Sequence, residues 1–197
     1  MKKRFYVVLT FIIIIFLFLL VVFIHVIKQG DINNQYIQNI NLVIEDKNIT
    51  KLRKLIKNKN LNQIYKGSEC EYELERPCYS PLQLACSYSE YEIVKLLVEN
   101  GADVNYMETI GDAKQTPLIH TIDTIYDVNI ESQLKIVKYL LKNGTDKSIK
   151  DNRGNNALYY TKKLLSRYNY DKQEYVEKEN ITPKERQIKK EIIELLS

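Results

Sequence analysis

The sequence predicts an all-α fold in which one membrane-spanning helix precedes a solenoid of about four helix-turn-helix repeats joined by hairpin loops. The first observation behind this prediction is an uninterrupted apolar segment near the N-terminus. The second is a motif that recurs along the remaining chain. The third is that each strong copy of the motif carries residue types that begin and end short α-helices.

Residues 5–27 form an apolar segment without a charged residue, a glycine or a proline. A bilayer core is crossed by roughly 20 apolar helical residues, so this segment is long enough to span a membrane. The alternative is a cleaved signal peptide, whose apolar core of about 7–15 residues would precede a cleavage site built from small residues. The length of the segment and the residues that follow it favour an uncleaved transmembrane anchor.

Basic residues flank this anchor unequally. Three of them, at positions 2–4, precede it, whereas Lys28 is the only one between the anchor and Lys47. The side richer in Lys and Arg tends to stay in the cytoplasm, so we expect residues 1–4 inside and the C-terminal domain in a periplasmic or other extracytoplasmic location. Residues 28–37 would be a linker that reaches at most roughly 35 Å, which places a partner near or in the membrane.

The formal net charge of +4 comes from the residues that flank the anchor. Without those four, 25 of the 29 basic residues remain, which equals the 25 acidic residues. The outer region is therefore formally neutral and lacks the positive charge of a nucleic-acid-binding domain. An abundance of Ile, Lys, Asn and Tyr is typical of an AT-rich genome and favours a bacterial source.

Residues 38–197 contain the recurring motif. SPLQLACSYSEYEIVKLLVENGADVN (80–105) and the segment from TPLIHT to LKNGTDKS (116–148) share a Ser/Thr-Pro-Leu opening, an Ile-Val-Lys run and an Asn-Gly ending. Weaker copies lie at about 38–65 and 154–197. One helix pair is too small to bury its own apolar face, so we expect the copies to stack into a continuous core.

Helix boundaries are marked in each strong copy. Ser80 and Thr116 are suited to cap a helix N-terminus, and a proline follows each at the first helical position, where a missing N–H costs nothing. Glycines follow Asn at the helix ends, where a left-handed residue closes the last turn. The residues given a structural role in the repeats are Ser80, Pro81, Leu82, Ala85, Gly101, Thr116, Pro117, Leu118, Gly144 and Gly154.

These residues resemble the ankyrin repeat, whose pattern G-x-T-P-L-H-x-A opens a helix pair that ends in L-L-x-x-G-A-D-V-N. Residues 80–105 match this pattern without a gap, and the resemblance covers roughly residues 33–197. It implies a protein-binding module with no cofactor, no small-molecule substrate and no catalytic activity. No Gly-rich phosphate loop, serine nucleophile elbow or metal-binding motif occurs in the sequence, so an enzyme is not predicted.

The chain departs from the family pattern in two respects. Insertions lengthen the repeats at 66–79, at about 127–133 and at 166–185, where the charged, Tyr-rich sequence indicates a solvated linker or a lengthened helix pair. The His of T-P-L-H is replaced by Gln83 in one strong copy and by Ile119 in the other. This replacement puts the hydrogen bonds that the His usually makes between hairpin loops in doubt.

The three cysteines have different predicted states. Cys70 and Cys78 lie in one inserted loop. Disulfides persist outside the cytoplasm, so we expect these two to be bridged, which would contribute roughly 2–3 kcal/mol. Free thiols are the alternative, and a metal site is disfavoured because Cys-x-x-Cys spacing and nearby His are absent. Cys86 lies beside Ala85 on an inner helix and is expected to be a small buried hydrophobe.

The same inserted loop alternates glutamate with Cys, Tyr and Leu from Glu69 to Glu75. In an extended hairpin this alternation puts the glutamates on one face, which suits either a docking finger for a basic partner or a solvated edge that blocks strand pairing. Tyrosines elsewhere suit a contact surface, because their side chains are large, rigid and amphipathic. The candidate partner-binding residues are Glu71, Tyr72, Glu73, Glu75, Tyr88, Tyr106, Met107, Glu108 and Tyr126.

The leading functional hypothesis is a single-pass, membrane-tethered interaction protein that displays its repeats outside the cytoplasm and binds another protein. The alternative is an immunity or inhibitor protein that neutralises a toxin or an enzyme in the cell envelope. This alternative rests on analogy at the level of the family.

Overall fold

The computed structural model describes residues 2–64, 79–107, 114–124, 129–169, 174–177 and 181–197. The chain forms two compact units, Met1–Tyr36 and Ile37–Ser197. The helices are α1 (Lys2–Glu45), α2 (Ile49–Leu55), α3 (Pro81–Ser87), α4 (Tyr91–Glu99), α5 (Pro117–Ile122), α6 (Ile130–Lys142), α7 (Ala157–Leu165) and α8 (Pro183–Leu196).

The first unit consists of the part of α1 that ends at Tyr36. Between Ile12 and Ile27 its large apolar side chains are 42–66% exposed. It is the one helix among the described residues that is long and apolar enough to cross a membrane. The predicted apolar N-terminal helix is confirmed.

Residues 28–37, which we expected to form a linker, are helical and belong to α1. This segment contains no proline, and its single glycine, Gly30, costs a helix interior only about 1 kcal/mol. One turn is supported by a hydrogen bond of 3.4 Å from Gln29 Nε2 to Asn33 Oδ1. Residues 28–36 therefore continue α1 as a helix beyond the apolar segment.

The second unit is a two-layer stack of helix pairs. The inner layer contains α3, α5 and α7 packed side by side, and α4, α6 and α8 form the outer layer beside α2. Each inner helix also packs against the outer helix that follows it, as α3 does against α4 and α7 against α8. The all-α repeat architecture predicted from the sequence is confirmed.

A continuous hydrophobic core runs between the two layers. Every repeat contributes side chains that are at most 8% exposed, including those of the two weak copies. These buried residues include Ile40, Ile44, Leu52 and Ile56 in the first repeat, Leu82, Ala85, Val94 and Leu97 in the second, Leu118, Ile122, Val137 and Leu140 in the third, and Ala157, Tyr160, Ile188 and Ile192 in the fourth. Stacking thus buries the apolar faces that single helix pairs would leave exposed.

Polar side chains and glycines set the helix ends. Ser80 and Thr116 each accept a hydrogen bond of 3.3 Å from the backbone N–H three residues later. Ser80 forms a full capping box, because its own N–H donates to Gln83 Oε1 at 2.8 Å. Gly101 has φ of +90° after α4, a left-handed conformation that L side chains rarely adopt.

Two short strands follow α7 directly. β1 (Ser166–Asn169) and β2 (Glu174–Glu177) pair antiparallel, with Tyr168 opposite Tyr175. The third insertion therefore contains a strand ladder where we expected a solvated linker or a lengthened helix pair. Each segment contains a tyrosine, and β2 also contains Val176, residue types that favour extended backbone.

Candidate partner-binding surface

Gln83 connects α3 with two residues of the segment that follows its repeat, Tyr106 and Gln115. Its Nε2 donates a hydrogen bond of 2.7 Å to the carbonyl of Gln115 and one of 3.5 Å to the carbonyl of Tyr106. The side chain is fully buried, so these bonds satisfy carbonyl groups that would otherwise be buried without a partner. At the position where the family pattern has His, an amide thus makes hydrogen bonds to Tyr106 and Gln115; bonds of this side chain between successive hairpin loops stay an open question of the sequence.

A second connection is an asparagine ladder formed by Asn62 and Asn105. Asn62 Oδ1 accepts from the N–H of Asp103 at 2.7 Å, and its Nδ2 donates to the carbonyl of Gly101 at 3.5 Å. One repeat later, Asn105 makes the same two bonds to Asp146 N–H and Gly144 O, at 2.8 and 3.2 Å. Consecutive loops are thus held in register across 39–41 residues of sequence.

The ladder is reinforced inside each loop by an Asx turn. Asn60, Asp103 and Asp146 each accept a hydrogen bond from the N–H two residues later, at 2.8–2.9 Å. Ser148 ends the ladder, because its hydroxyl turns back to Asp146 Oδ1 at 2.6 Å. The loop edge of the second unit is therefore a rigid, repeated backbone surface.

An open groove of about 420 Å³ lies near the opposite ends of the inner helices. Its lining comes from the turns that join inner and outer helices, namely Lys47, Ile49, residues 88–92, Asn129, Ser132 and Lys135. We call it the helix-turn groove. Three successive repeats contribute to it, so its shape depends on their stacking.

Ion pairing and aromatic contacts shape the groove. Lys47 Nζ lies 2.5 Å from Glu90 Oε1, which links the turns of the first two repeats. Tyr91 packs edge-on against Tyr139 with ring centroids 5.8 Å apart. Partial burial raises the pKa of Tyr139 above its ordinary value. The groove therefore offers aromatic surface beside both signs of charge.

A model of ankyrin repeats in three copies matches residues 40–151, more than half of the 197-residue chain. The chain belongs to the ankyrin repeat family. Two ankyrin repeat proteins of Acanthamoeba polyphaga mimivirus are similar to it. One is 29% identical over 130 residues, covering 65% of this chain and 14% of the relative. The other is 35% identical over 88 residues, covering 43% of this chain and 11% of the relative.

Among solved structures, the chain resembles the ankyrin repeat domain of Bcl-3, described as a unique member of the IkappaB protein family. The TM-score is 0.47 at 17% sequence identity, and the alignment covers 61% of this chain and 45% of that one. The chain thus spans only a small part of its curated relatives and less than half of this structural neighbour.

Three of the predicted partner-binding residues lie in described parts of this ankyrin repeat unit, at the two ends of α3. Tyr88 caps the C-terminus of α3 and lines the helix-turn groove. Tyr106 and Met107 are half-buried at the loop edge, where the Tyr106 carbonyl meets Gln83 near the start of α3. The two ends of this helix are about 10 Å apart, so these residues do not converge on one spot.

The remaining candidates lie outside the described residues and stay predictions. They are the first-loop residues Glu71, Tyr72, Glu73 and Glu75, together with Glu108, Tyr126 and the disulfide pair Cys70 and Cys78.

Cys86 and His120 are buried within the inner layer. Cys86 is a free, fully buried thiol, as expected for a small hydrophobe, and burial raises its pKa to about 12. His120 is 3% exposed and meets the Tyr79 ring edge-on at 4.5 Å. Both residues therefore belong to the packing of the repeats. Within the described ranges, no group of three or more His, Cys, Asp or Glu could hold a metal ion.

The sequence did not lead us to predict the hydrogen bonds of Gln83 and Asn62 near the loop edge or the place of Tyr91 in the helix-turn groove. Gln83 stands at the His position of the family pattern, and Asn62 stands in the weak first copy where Asn105 stands in the second. These equivalent positions in the sequence could have pointed to the roles of both residues. Tyr91 carries no such signal, because its place in the groove depends on the packing of α4 against α6.

Proposed function

We propose that this chain is a membrane-tethered interaction protein that binds another protein with its ankyrin repeats. Ankyrin repeats are protein–protein interaction modules, and the match to this family supports the binding part of the proposal. The tether is supported by the apolar surface of α1, which is exposed from Ile12 to Ile27. An exposed surface of this size and composition suits burial in lipid.

The helix-turn groove is the part of the described surface that best suits a partner. Tyr88 and Tyr91 provide rigid aromatic area, and Glu92 and Lys135 lie beside them. Interfaces are enriched in tyrosine, and charged groups around an aromatic centre add specificity more than affinity. We propose that a partner side chain enters this groove, while the first loop makes further contacts through its glutamates.

The orientation of the tether remains part of this proposal. Three basic residues precede the apolar segment and Lys28 follows it, which favours a cytoplasmic N-terminus and an extracytoplasmic repeat unit. We propose no catalytic role for the repeats. We propose that they bind a protein near or in the membrane and not a small-molecule substrate. The inhibitor hypothesis gains no support from the described surfaces.

Membrane tethering is tested by alkaline extraction and by reporter fusions. The full chain should stay in the membrane pellet at high pH. A reporter fused after Ser197 should be active only outside the cytoplasm. Release of the intact chain by alkali would contradict the tether, whereas a C-terminal reporter active only in the cytoplasm would reverse the orientation without removing the anchor.

Partner binding is tested by a photocrosslinking amino acid placed at Tyr88 in native membranes. Tyr159, which is 43% exposed on α7 and does not line the groove, is the matched control. We expect one discrete crosslinked species from position 88 and none from position 159. The same crosslinks from both positions, or none from position 88, would exclude the groove as the binding site.

A further inference from the structure

The outer face of the first ankyrin repeat is strongly basic. Residues 48–64 contain five basic residues and no acidic one. All five are exposed, whereas Leu52 and Ile56, on the opposite side of α2, are at most 1% exposed. We call this surface the α2 basic face; its residues are Lys51, Arg53, Lys54, Lys57 and Lys59.

Helix geometry explains why these charges share one face. Leu52 and Ile56 are four residues apart and therefore point to the same side of the helix, which the core covers. Arg53 and Lys54 lie on the remaining arc of α2 and are exposed, and Lys57 is exposed in the turn that follows the helix. The hydrophobic pattern that orients α2 thus also collects its cations on the solvent side.

Five basic residues elsewhere in the second unit are paired with carboxylates. Lys47 pairs with Glu90, Lys95 with Glu99, Lys138 with Glu191, Lys184 with Glu131 and Lys189 with Glu185. Within the described residues, no such pair involves Lys51, Arg53, Lys54 or Lys57. The unit contains 25 basic and 24 acidic residues and so has a formal net charge of only +1, which means that the five cations of this face are a local excess.

We infer that the α2 basic face binds the anionic headgroups of the bilayer that holds the anchor. This inference rests on the proposed membrane tether. Lys51 is covalently connected to Ile27, the last residue of the apolar segment. Even a fully extended chain would keep these two residues within about 85 Å of each other. A tethered contact is intramolecular, with an effective concentration in the millimolar range, so even a weak electrostatic attraction to lipid becomes significant.

Other occupants fit the observations less well. A nucleic acid would meet a unit with a formal net charge of only +1, whose remaining surface carries both signs of charge. An acidic protein would have to find this face beside a bilayer whose headgroups are already present at high local concentration. Each basic residue near an anionic surface raises partitioning about fivefold, so four or five of them suffice for a reversible contact.

The test uses the full chain in nanodiscs of phosphatidylcholine, with or without phosphatidylglycerol, and measures the acylation rate of each lysine by mass spectrometry. At about 0.1 M salt we expect Lys51, Lys54 and Lys57 to react at least about threefold more slowly in the anionic discs. At about 1 M salt the difference should vanish. Lys142 and Lys150, which are exposed elsewhere, should react equally in both.

A variant with Lys51→Gln, Arg53→Gln, Lys54→Gln and Lys57→Gln separates binding from folding, because these positions are exposed and Gln is a good helix former. We expect it to lose the lipid-dependent protection of Lys59, whereas Lys142→Gln with Lys150→Gln keeps it. Equal acylation in both kinds of disc, or protection in both, would overturn the inference; the second result would indicate that protein covers the face.

A failure of the proposed membrane tether can be distinguished from a failure of the lipid-binding inference. If the chain does not enter discs of either composition, the anchor proposal is wrong. The basic face is then tested by sedimentation of the chain with free vesicles. Binding only to phosphatidylglycerol vesicles would support lipid recognition by α2, and equal binding to both compositions, or none, would overturn it.

Discussion

Gln83 shows how one side chain can replace another of different chemistry in the same role. A carboxamide carries both a donor and an acceptor, as a neutral imidazole does, so it can cap its own helix and also reach Tyr106 and Gln115 in the segment that follows its repeat. Oε1 accepts from the N–H of Ser80, while Nε2 donates to the carbonyls of Gln115 and Tyr106. The residue is fully buried, so each of these bonds is costly to lose.

Gln83→Ala should lower the free energy of unfolding by about 1–3 kcal/mol, because it leaves buried carbonyl and amide groups without partners. Gln83→His should retain more stability than Gln83→Ala. Urea denaturation followed by circular dichroism measures both. Gln187→Ala, at an exposed site on α8, is the control and should change stability by less than about 0.5 kcal/mol. Equal stability of Gln83→Ala and the unsubstituted chain would contradict the bridging role.

The buried thiol of Cys86 provides a test of the predicted disulfide. Burial raises its pKa to about 12 and blocks access, so it should not react with a thiol reagent at pH 8 while the chain is folded. If Cys70 and Cys78 are bridged, the folded, unreduced chain should show no reactive thiol, and unfolding without reductant should release only that of Cys86. Three reactive thiols on unfolding would show that the disulfide is absent.

Whole loops are aligned by the asparagine ladder. Each step joins the end of one outer helix to the end of the next, and the Asx turns hold the loop backbone in the required shape. Gly101 and Gly144 contribute carbonyls to the same steps. Loop conformation and repeat spacing are therefore set by the same few residues.

Asn105→Ala should destabilise the fold by about 1–2 kcal/mol, because it breaks two bonds between successive loops. Asn143→Ala is the matched control, since the Asn143 side chain is exposed and its hydrogen bonds go to Tyr139, four residues earlier in the same repeat. Thermal unfolding of both variants measures the difference. A loss for Asn143→Ala as large as that for Asn105→Ala would show that the ladder adds nothing specific.

Gly101→Ala isolates the cost of a left-handed backbone. An added Cβ would meet nothing within 4 Å, so no steric clash contributes. The φ of +90° should still cost an L-residue about 1–2 kcal/mol. Denaturant titration should show this loss as a lower midpoint with an unchanged slope. An unchanged midpoint would mean that the loop relaxes to another conformation.

The whole second unit is held together by contacts between neighbouring repeats. The last outer helix, α8, packs on α7 and α6, and ion pairs from Lys138 to Glu191 and from Lys184 to Glu131 join it to α6. The Lys184 ammonium lowers the pKa of Glu131, so this pair stays charged at neutral pH. Because repeats contact only their neighbours, damage at one end should spread by nearest-neighbour coupling.

Ile192→Ala should cost about 2–4 kcal/mol, since this side chain is 1% exposed. Hydrogen exchange should accelerate in α6, α7 and α8 while α2 and α3 change little. The control is Ile193→Ala, at a half-buried neighbouring position, which should cost less. Uniform acceleration across all repeats would indicate that the unit unfolds as one cooperative block.

Much of the fold could be predicted because the helix ends of ankyrin repeats are set by residues close to them in the sequence. Ser80, Pro81 and Gly101 stand at positions where capping, a missing N–H and a left-handed residue are needed within one helix pair. The candidate site was harder to predict. Tyr88 could be proposed from its helix, but the groove also needs Lys135, which lies 47 positions later in the sequence and is brought near by stacking.

The sequence by itself determined the apolar helix, the repeated helix pairs and the burial of Cys86, because composition and short-range periodicity decide those properties. Only the tertiary structure decided that Gln83 bonds to Tyr106 and Gln115, that Asn62 and Asn105 form a ladder and that the cations of the α2 basic face are exposed together. Hydrogen bonds between residues that are 39–41 positions apart in the sequence, and the pairing of charges, depend on which repeats become neighbours. That choice is made when the apolar faces of the helix pairs are buried against one another.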